Sequence, residues 1–240
     1  MRAVSWVIVL VLAVDTATPA VTSGLVRLGD GAAQDLETLA VRVTENPRAH
    51  AEVLTPLILE CLAEAGCEPA DLDAVVVGVG PGPFTGLRVG MATAAAFGDA
   101  LGIPVHGVCT LDALAADVFA ADVTAADVFA ADVPPGSDLL VVTDARRREV
   151  YWARYSGGSR VEGPEVRKPA EVTAAPSRRV AGSPAHAELF DLPVVPVHSP
   201  SPAGLVTVAA SELTARAAPQ PLVPLYLRRP DAVETAARKK

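Results

Sequence analysis

The sequence predicts an α/β fold of two lobes, each a mixed sheet with flanking helices. Three observations carry this. Short β-branched runs separated by tight turns open the chain and give way to alternating helix and strand patterns. An apolar strand ending in Asp and a small residue occurs twice, at residues 10–17 and again at residues 138–146. Hydrophobic residues make up 50% of 240 positions and charged ones 20%, enough for real cores and unlike a disordered composition.

The first strand runs through Trp6-Val7-Ile8-Val9-Leu10-Val11-Leu12-Ala13-Val14 and stops at Asp15. Arg2 followed by such a run has the outline of a secretory leader. Asp15 comes directly after it, and no small-residue cleavage site is present, so the run reads as a buried strand. A second strand is expected over residues 21–28 and a third over 37–44, with turns at 16–19 and 29–31; together they form an antiparallel meander. Asn46-Pro47 predicts a helix start, an N-cap residue followed by Pro at the first helical position. The helix carries Val53, Leu54, Leu57, Ile58, Cys61 and Leu62 on one stripe, a bend at Pro56, and a Gly66 C-cap.

Val75-Val76-Val77-Gly78-Val79 is too short for a helix and reads as a buried strand. The turn Gly80-Pro81-Gly82-Pro83-Phe84-Thr85-Gly86-Leu87-Arg88-Val89-Gly90 follows, leading into a helix that ends near Leu101 with Gly102 as its cap. Strand, glycine-rich turn and helix often meet phosphate. A P-loop, however, needs Gly-Lys-Ser/Thr where this chain has Gly86-Leu87-Arg88, and a dinucleotide fingerprint ends in Gly where this chain has Pro83. Gly86, Gly90, Ala94 and Gly98 share one helix face at i+4 spacing. That face either packs on the protein's own sheet or receives a partner helix. Arg88 and Asp99 interrupt the helix, so it is no membrane span. A strand over residues 105–108 completes the order βββαβαβ, the ribonuclease-H-like unit from which actin-like kinases and Hsp70 lobes are built.

A first lobe is therefore expected over residues 7–110 and a smaller second lobe over 111–202, with a last helix within 203–229 returning to the first. In the second lobe residues 149–155 alternate as a strand, and the pattern is weak from 157 to 202. Residues 115–123 recur without change as 125–133, a duplication of ten-residue period too short for a solenoid. It lengthens a helix or adds a loop, and no function follows from it.

A net charge of −8 argues against direct nucleic-acid binding as the main role, and Arg146-Arg147-Arg148 and Arg238-Lys239-Lys240 read as solvated surface. Three cysteines, Cys61, Cys67 and Cys109, form no C-x-x-C and point to a reducing, cytoplasmic setting. Four histidines, His50, His106, His186 and His198, lack metal-ligand spacing. Thr143-Asp144 with Arg146 could be a base and a phosphate clamp, but a strand-end hairpin outweighs that, with no Ser–His–Asp set visible beside it.

The turn at residues 80–90 resembles the signature of the TsaB (YeaZ) family. Residues 12–18, Asp144-Ala145-Arg146-Arg147-Arg148-Glu149-Val150-Tyr151, and Pro224-Leu225-Tyr226-Leu227-Arg228-Arg229-Pro230-Asp231-Ala232 extend the resemblance over most of the chain. Against that family, residues 1–5 form an extension, as from a start codon assigned too early. The resemblance implies an actin-like, Hsp70-like two-lobed fold. It implies a non-catalytic scaffold that binds and activates a TsaD-like catalytic paralogue, acting with a TsaE-like ATPase to form threonylcarbamoyladenosine beside the anticodon of tRNAs reading ANN codons. The tRNA is met only through the complex, and the chain alone forms a homodimer on the same face. No intrinsic cofactor, metal or membrane contact is implied, with ATP or ADP admitted only at the partner interface.

The partner face implied is His50, Leu54, Ile58, Phe84, Thr85, Gly86, Leu87, Arg88, Gly90, Met91, Ala94 and Gly98. Asp15, Thr16, Asp144 and Arg146 stand where actin-like ATPases hold metal and phosphates, as a degenerate nucleotide site. Asp15 has a structural alternative, capping the amides of the 16–18 turn. Thr110 and Leu114 fall where the catalytic paralogue carries its two metal-binding histidines, and neither Leu nor a lone Thr holds a transition metal. The rival functions are a free-standing actin-like ATPase or kinase and a glycoprotease-like metallohydrolase.

Overall fold

The computed structural model describes residues 8–29, 35–45, 50–124 and 137–228. The residue 1–5 extension, the Asn46-Pro47 helix start, the second copy of the duplication, the end of the closing segment, the basic tail and the His50 side chain lie outside them.

Strands β1 (Val9–Asp15), β2 (Ala20–Leu28) and β3 (Leu36–Glu45) form an antiparallel meander. Helix α1 (His50–Ala65) leads to β4 (Ala74–Gly78), which lies parallel to β1; α2 (Phe84–Leu101) then leads to β5 (Val105–Val108), parallel to β4. The sheet order is β3-β2-β1-β4-β5, the ribonuclease-H-like arrangement expected from the element order. Both parallel crossovers contain a helix, as a parallel connection requires.

Each strand feeds two cores because successive side chains point to opposite faces. On β1, Val9, Val11 and Ala13 face one core, while Leu12 and Val14 face the other. Ala74 and Val76 of β4 join the first set, and Val75 and Val77 the second. Leu54, Ile58, Cys61 and Leu62 of α1 and Ala94 of α2 close the second core. The first is closed by α5 (Pro202–Thr214), through Leu205, Val206, Ala209 and Leu213. Each Val, Leu or Ile among them, fully buried, contributes about 1.5–3 kcal/mol of hydrophobic stabilisation.

Helix α3 (Thr110–Thr124) joins the lobes, and its last turns contain the first copy of the duplicated segment. Leu111, Leu114, Ala115 and Val118 pack on the second sheet, whereas Ala113 packs in the first lobe beside α5. Polar ties fix it at three points. Asp112 accepts from Tyr155 Oη (2.8 Å), Asp117 accepts from the Ser201 amide (2.7 Å) at the start of α5, and Asp122 pairs with buried Arg179 at 2.5 and 2.6 Å.

The second sheet, β6 (Leu139–Asp144), β7 (Val150–Ser156), β8 (Ser159–Arg167) and β9 (Arg179–Gly182), has the order β8-β7-β6-β9. It repeats the first sheet's meander and its parallel neighbour. What corresponds to α2 is the short α4 (Pro184–Ala187), and in place of β5 a single parallel bridge joins Val180 to Val194. This truncation explains the weak periodicity over residues 157–202.

The chain then crosses back over both lobes. The Leu225 amide donates to the Val79 carbonyl of the first lobe (2.8 Å), Leu225 and Leu227 pack into the second-lobe core, and Arg228 reaches the Ala145 carbonyl and Glu149.

Candidate functional site

The glycine-rich turn is built around the β1–β2 turn. A Cβ at Gly82 would overlap the Ala17 backbone, so only glycine permits the approach. Thr16 Oγ1 donates to the Gly86 carbonyl (2.7 Å) and accepts from the Gly90 amide (3.1 Å), fastening the first turns of α2 to the end of β1.

The small-residue face of α2 is thereby turned inward. Gly86, Leu87, Gly90, Ala94 and Gly98 are buried, and a Cβ at Gly98 would overlap Val105 of β5. Leu54 and Ile58 of α1 are likewise buried in the first-lobe core. These seven residues serve the protein's own packing. This corrects the expectation that they meet a partner, because i+4 spacing marks a face without giving its direction. Of the implied partner face, Phe84, Thr85 and Arg88 are exposed and Met91 is half-buried.

Phe84 and Arg88 belong to a cluster that extends beyond α2. The Arg88 guanidinium lies 3.7 Å from the Phe84 ring centre, and Phe84 stacks on Tyr226 at 5.2 Å. Arg88 Nε donates to Tyr226 Oη at 3.1 Å. Phe84 and Tyr226 are 46% and 44% exposed, large for stacked aromatics, and Val223, in the same closing stretch of chain, is also exposed. Tyr226 was not singled out from the sequence as a site residue, and only its place in the closing segment pointed to it.

Asp15 and Thr16 do not line the cleft between the lobes. Asp15 is fully buried, and its carboxylate accepts from Thr110 Oγ1 (2.7 Å) and from the Ala17 amide (2.9 Å). Burial pushes the carboxyl up to about 6, against the lowering effect of the Thr110 hydroxyl and the turn amides. The turn-capping alternative describes what Asp15 does. Thr110 is committed to Asp15, and Leu114 is fully buried in the second-lobe core.

Asp144 and Arg146 do line the cleft, a cavity of about 290 Å³ with Thr18 and Pro19 on one side and Thr85, Gly86 and Val89 of α2 above. A second chamber of about 190 Å³ shares Thr18, Pro19 and Thr143 and adds Ser183, His198 and Ser199. Asp144 Oδ1 accepts from the Arg146 amide (2.7 Å) and stands 3.6 Å from His186 Nε2, while Ser183 Oγ lies 3.0 Å from His186 Nδ1. This Ser–His–Asp neighbourhood was invisible in the sequence because Asp144, at the end of β6, is distant along the chain from Ser183 and His186 at α4. The His–Asp separation exceeds a hydrogen bond, which leaves the imidazole without the orientation a serine nucleophile needs.

Among the described residues no group of three His, Cys, Asp or Glu side chains is placed to hold a metal, and no helix is long and apolar enough to cross a membrane.

Comparison with known proteins agrees with this architecture. Residues 43–220 match a family model described as TsaD, tRNA N6-adenosine threonylcarbamoyltransferase. Uncharacterized proteins of Mycobacterium tuberculosis and Mycobacterium bovis are 57% identical over 222 residues, 92% of this chain and 93% of theirs. The Escherichia coli tRNA threonylcarbamoyladenosine biosynthesis protein TsaB is 31% identical over 145 residues, 60% of this chain and 54% of that protein. The crystal structure of a Pseudomonas aeruginosa protein described as similar to peptidase YeaZ superposes with a TM-score of 0.72 at 27% identity, covering 92% of this chain and 100% of that one. YeaZ from Pseudomonas aeruginosa gives 0.71 at 25%, covering 91% and 100%. The chain belongs to the TsaD family and is a TsaB/YeaZ-like member of it, with the actin-like, ribonuclease-H-like two-lobed fold.

Proposed function

We propose that this protein is an accessory subunit in threonylcarbamoyladenosine formation on tRNA, docking a TsaD-like catalytic paralogue and leaving the transfer chemistry to it. The observation that carries the reading is the exposed Phe84–Arg88–Tyr226 cluster at the start of α2. Aromatic rings braced by an arginine supply large contact area at low entropic cost, which is the composition of interface hot spots. The positions where the resemblance puts the paralogue's metal ligands hold Thr110, tied to Asp15, and core Leu114, which favours a supporting role over a catalytic one. A TsaE-like ATPase completes the complex, ATP or ADP enters only at the partner interface, and the chain without its partner pairs with itself through the same cluster.

Size-exclusion chromatography with light scattering tests this, on the chain alone and mixed with the TsaD-like protein of the same organism. A homodimer that gives way to a mixed complex is expected. A chain whose mass is indifferent to the TsaD-like protein overturns the reading.

A further inference from the structure

We infer that a cavity at the base of the first lobe binds an aliphatic amino acid in its zwitterionic form, between His106 and Arg216. The cavity, of about 460 Å³, lies where β1, β4 and β5 begin, at the C-terminal end of α5. The interlobe cleft and the Phe84–Arg88–Tyr226 cluster belong to the other end of these strands.

One feature of the cavity is a buried histidine with a nitrogen to spare. His106 of β5 is 2% exposed and lines the cavity, and its Nδ1 lies 2.9 Å from the Glu212 carboxylate of α5. A carboxylate beside Nδ1 favours the tautomer protonated there, which makes Nε2 an acceptor. Among the described residues Nε2 has no partner, and it is not an atom sealed from solvent. Asp73, also in the lining, spends Oδ2 on the Leu10 amide (2.8 Å) and keeps Oδ1 as a second acceptor. Among the described residues no Ser, Thr or Cys lines the cavity, so the His–Glu pair has no nucleophile to activate and is suited to binding.

Arg216, just past α5, lines the same cavity with φ of 49°, in the left-handed region. Three helices of the chain close alike: the Cys67 amide reaches the Leu62 carbonyl, Ile103 reaches Gly98, and Ala217 reaches Glu212. The left-handed residue of that closure is Gly66 after α1 and Gly102 after α2, as sterics prefer, but Arg216 after α5. A long side chain kept where glycine is the unstrained solution points to a use for that side chain. Among the described residues its guanidinium has no ion-pair partner.

The rest of the lining decides the ligand's body. Val9, Ala74, Pro104 and Leu213 are aliphatic, and among the described residues no aromatic ring lines the cavity. A simple anion would meet Asp73 and the negative end of α5, and a simple cation would meet Arg216. A zwitterion satisfies both: its ammonium donates to His106 Nε2 and Asp73, its carboxylate takes the guanidinium, and a branched aliphatic side chain covers the apolar wall.

Calorimetric titration of the purified full chain, without any partner, tests the site with L-leucine, L-isoleucine and L-valine as probes. Saturable binding of at least one is expected, weakened tenfold or more by Arg216→Gly and by His106→Phe. L-leucinamide, which lacks the carboxylate, and isocaproate, which lacks the ammonium, should each bind at least tenfold more weakly than L-leucine. Arg216→Gly is expected to melt no lower than the parent protein, since glycine adopts positive φ freely, so its lost binding cannot be put down to misfolding. No saturable binding by any of the three amino acids overturns the site, as does binding indifferent to Arg216→Gly and His106→Phe. Leucinamide or isocaproate binding as well as leucine overturns the zwitterion. The titration contains no partner protein, so it and the accessory-subunit reading fail or stand separately.

Discussion

The Thr16 hydroxyl accepts the Gly90 amide hydrogen at 3.1 Å and fills the space that a side chain on Gly90 would need. This one contact fixes how α2 lies on its sheet. It also decides which face of the helix is left to the surface.

Substitution at Gly90 therefore acts on the fold. In a solvated helix interior, Gly→Ala is favourable by about 1 kcal/mol. Here the new methyl would overlap Thr16 Oγ1, and overpacking costs about 1–3 kcal/mol with roughly 1 kcal/mol more for the displaced hydrogen bond. Gly90→Ala is expected to lower stability by about 1–3 kcal/mol in urea unfolding, and Gly90→Leu to prevent folding. A stabilised Gly90→Ala protein would contradict the inward orientation.

Asp15 makes stability depend on pH. Its carboxyl is raised from 3.8 to about 6 by complete burial, so the folded state holds the proton more tightly than the unfolded chain. Its contribution is full below about pH 4, declines as pH rises towards 6, and above that becomes a cost of roughly 3 kcal/mol. Asp15→Asn keeps an acceptor for the Ala17 amide and removes the charge. Urea midpoints at pH 4.5 and pH 8 should show the variant gaining on the parent protein as pH rises. Parallel pH profiles would refute the assignment.

The Asp122–Arg179 pair lies almost entirely out of solvent, with side-chain exposures of 6% and 3%. Removing one partner leaves a buried charge uncompensated, at a cost of about 3–5 kcal/mol. Arg179→Leu should therefore be more destabilising than the double variant Asp122→Leu/Arg179→Leu, which buries no charge. Guanidinium unfolding of all four proteins completes the cycle, and simple additivity would dismiss the coupling.

At the surface the expectation reverses. Arg88→Ala removes an exposed cation–π contact worth about 0.5–1 kcal/mol, so thermal stability should change little. Affinity for the TsaD-like protein should fall at least tenfold, because Phe84 and Tyr226 lose the group that braces them. Light scattering and calorimetry on the same preparations separate the two effects. Undiminished affinity in Arg88→Ala and Phe84→Ala together would remove the cluster from the interface.

Much of the architecture was legible because buried strands leave short apolar runs in the sequence. The apolar run along Val9–Asp15, the valine run at β4 and the repeated strand ending in Asp144 marked the two sheets and their shared plan. The Gly66 and Gly102 helix ends, both at positive φ, were readable for the same local reason. The second lobe's middle was not, since it keeps only a four-residue helix and one bridge where the first lobe has α2 and β5.

The sequence by itself determined the first-lobe strands, β6 and β7, the glycine-capped helix ends and the rigid glycine–proline turn, because these depend on residues a few positions apart. Tertiary structure alone decided the rest. α2 is small and apolar nearly all round, so its own pattern could not say which side meets the sheet. Thr16 and Val105 decide it, by standing where only glycine leaves room. Arg88 meets Tyr226 across 138 positions, and the cleft brings Thr18 beside Thr143 and Ser183. Contacts of that separation leave no periodic trace along the chain, because chain closure sets them and residue spacing does not.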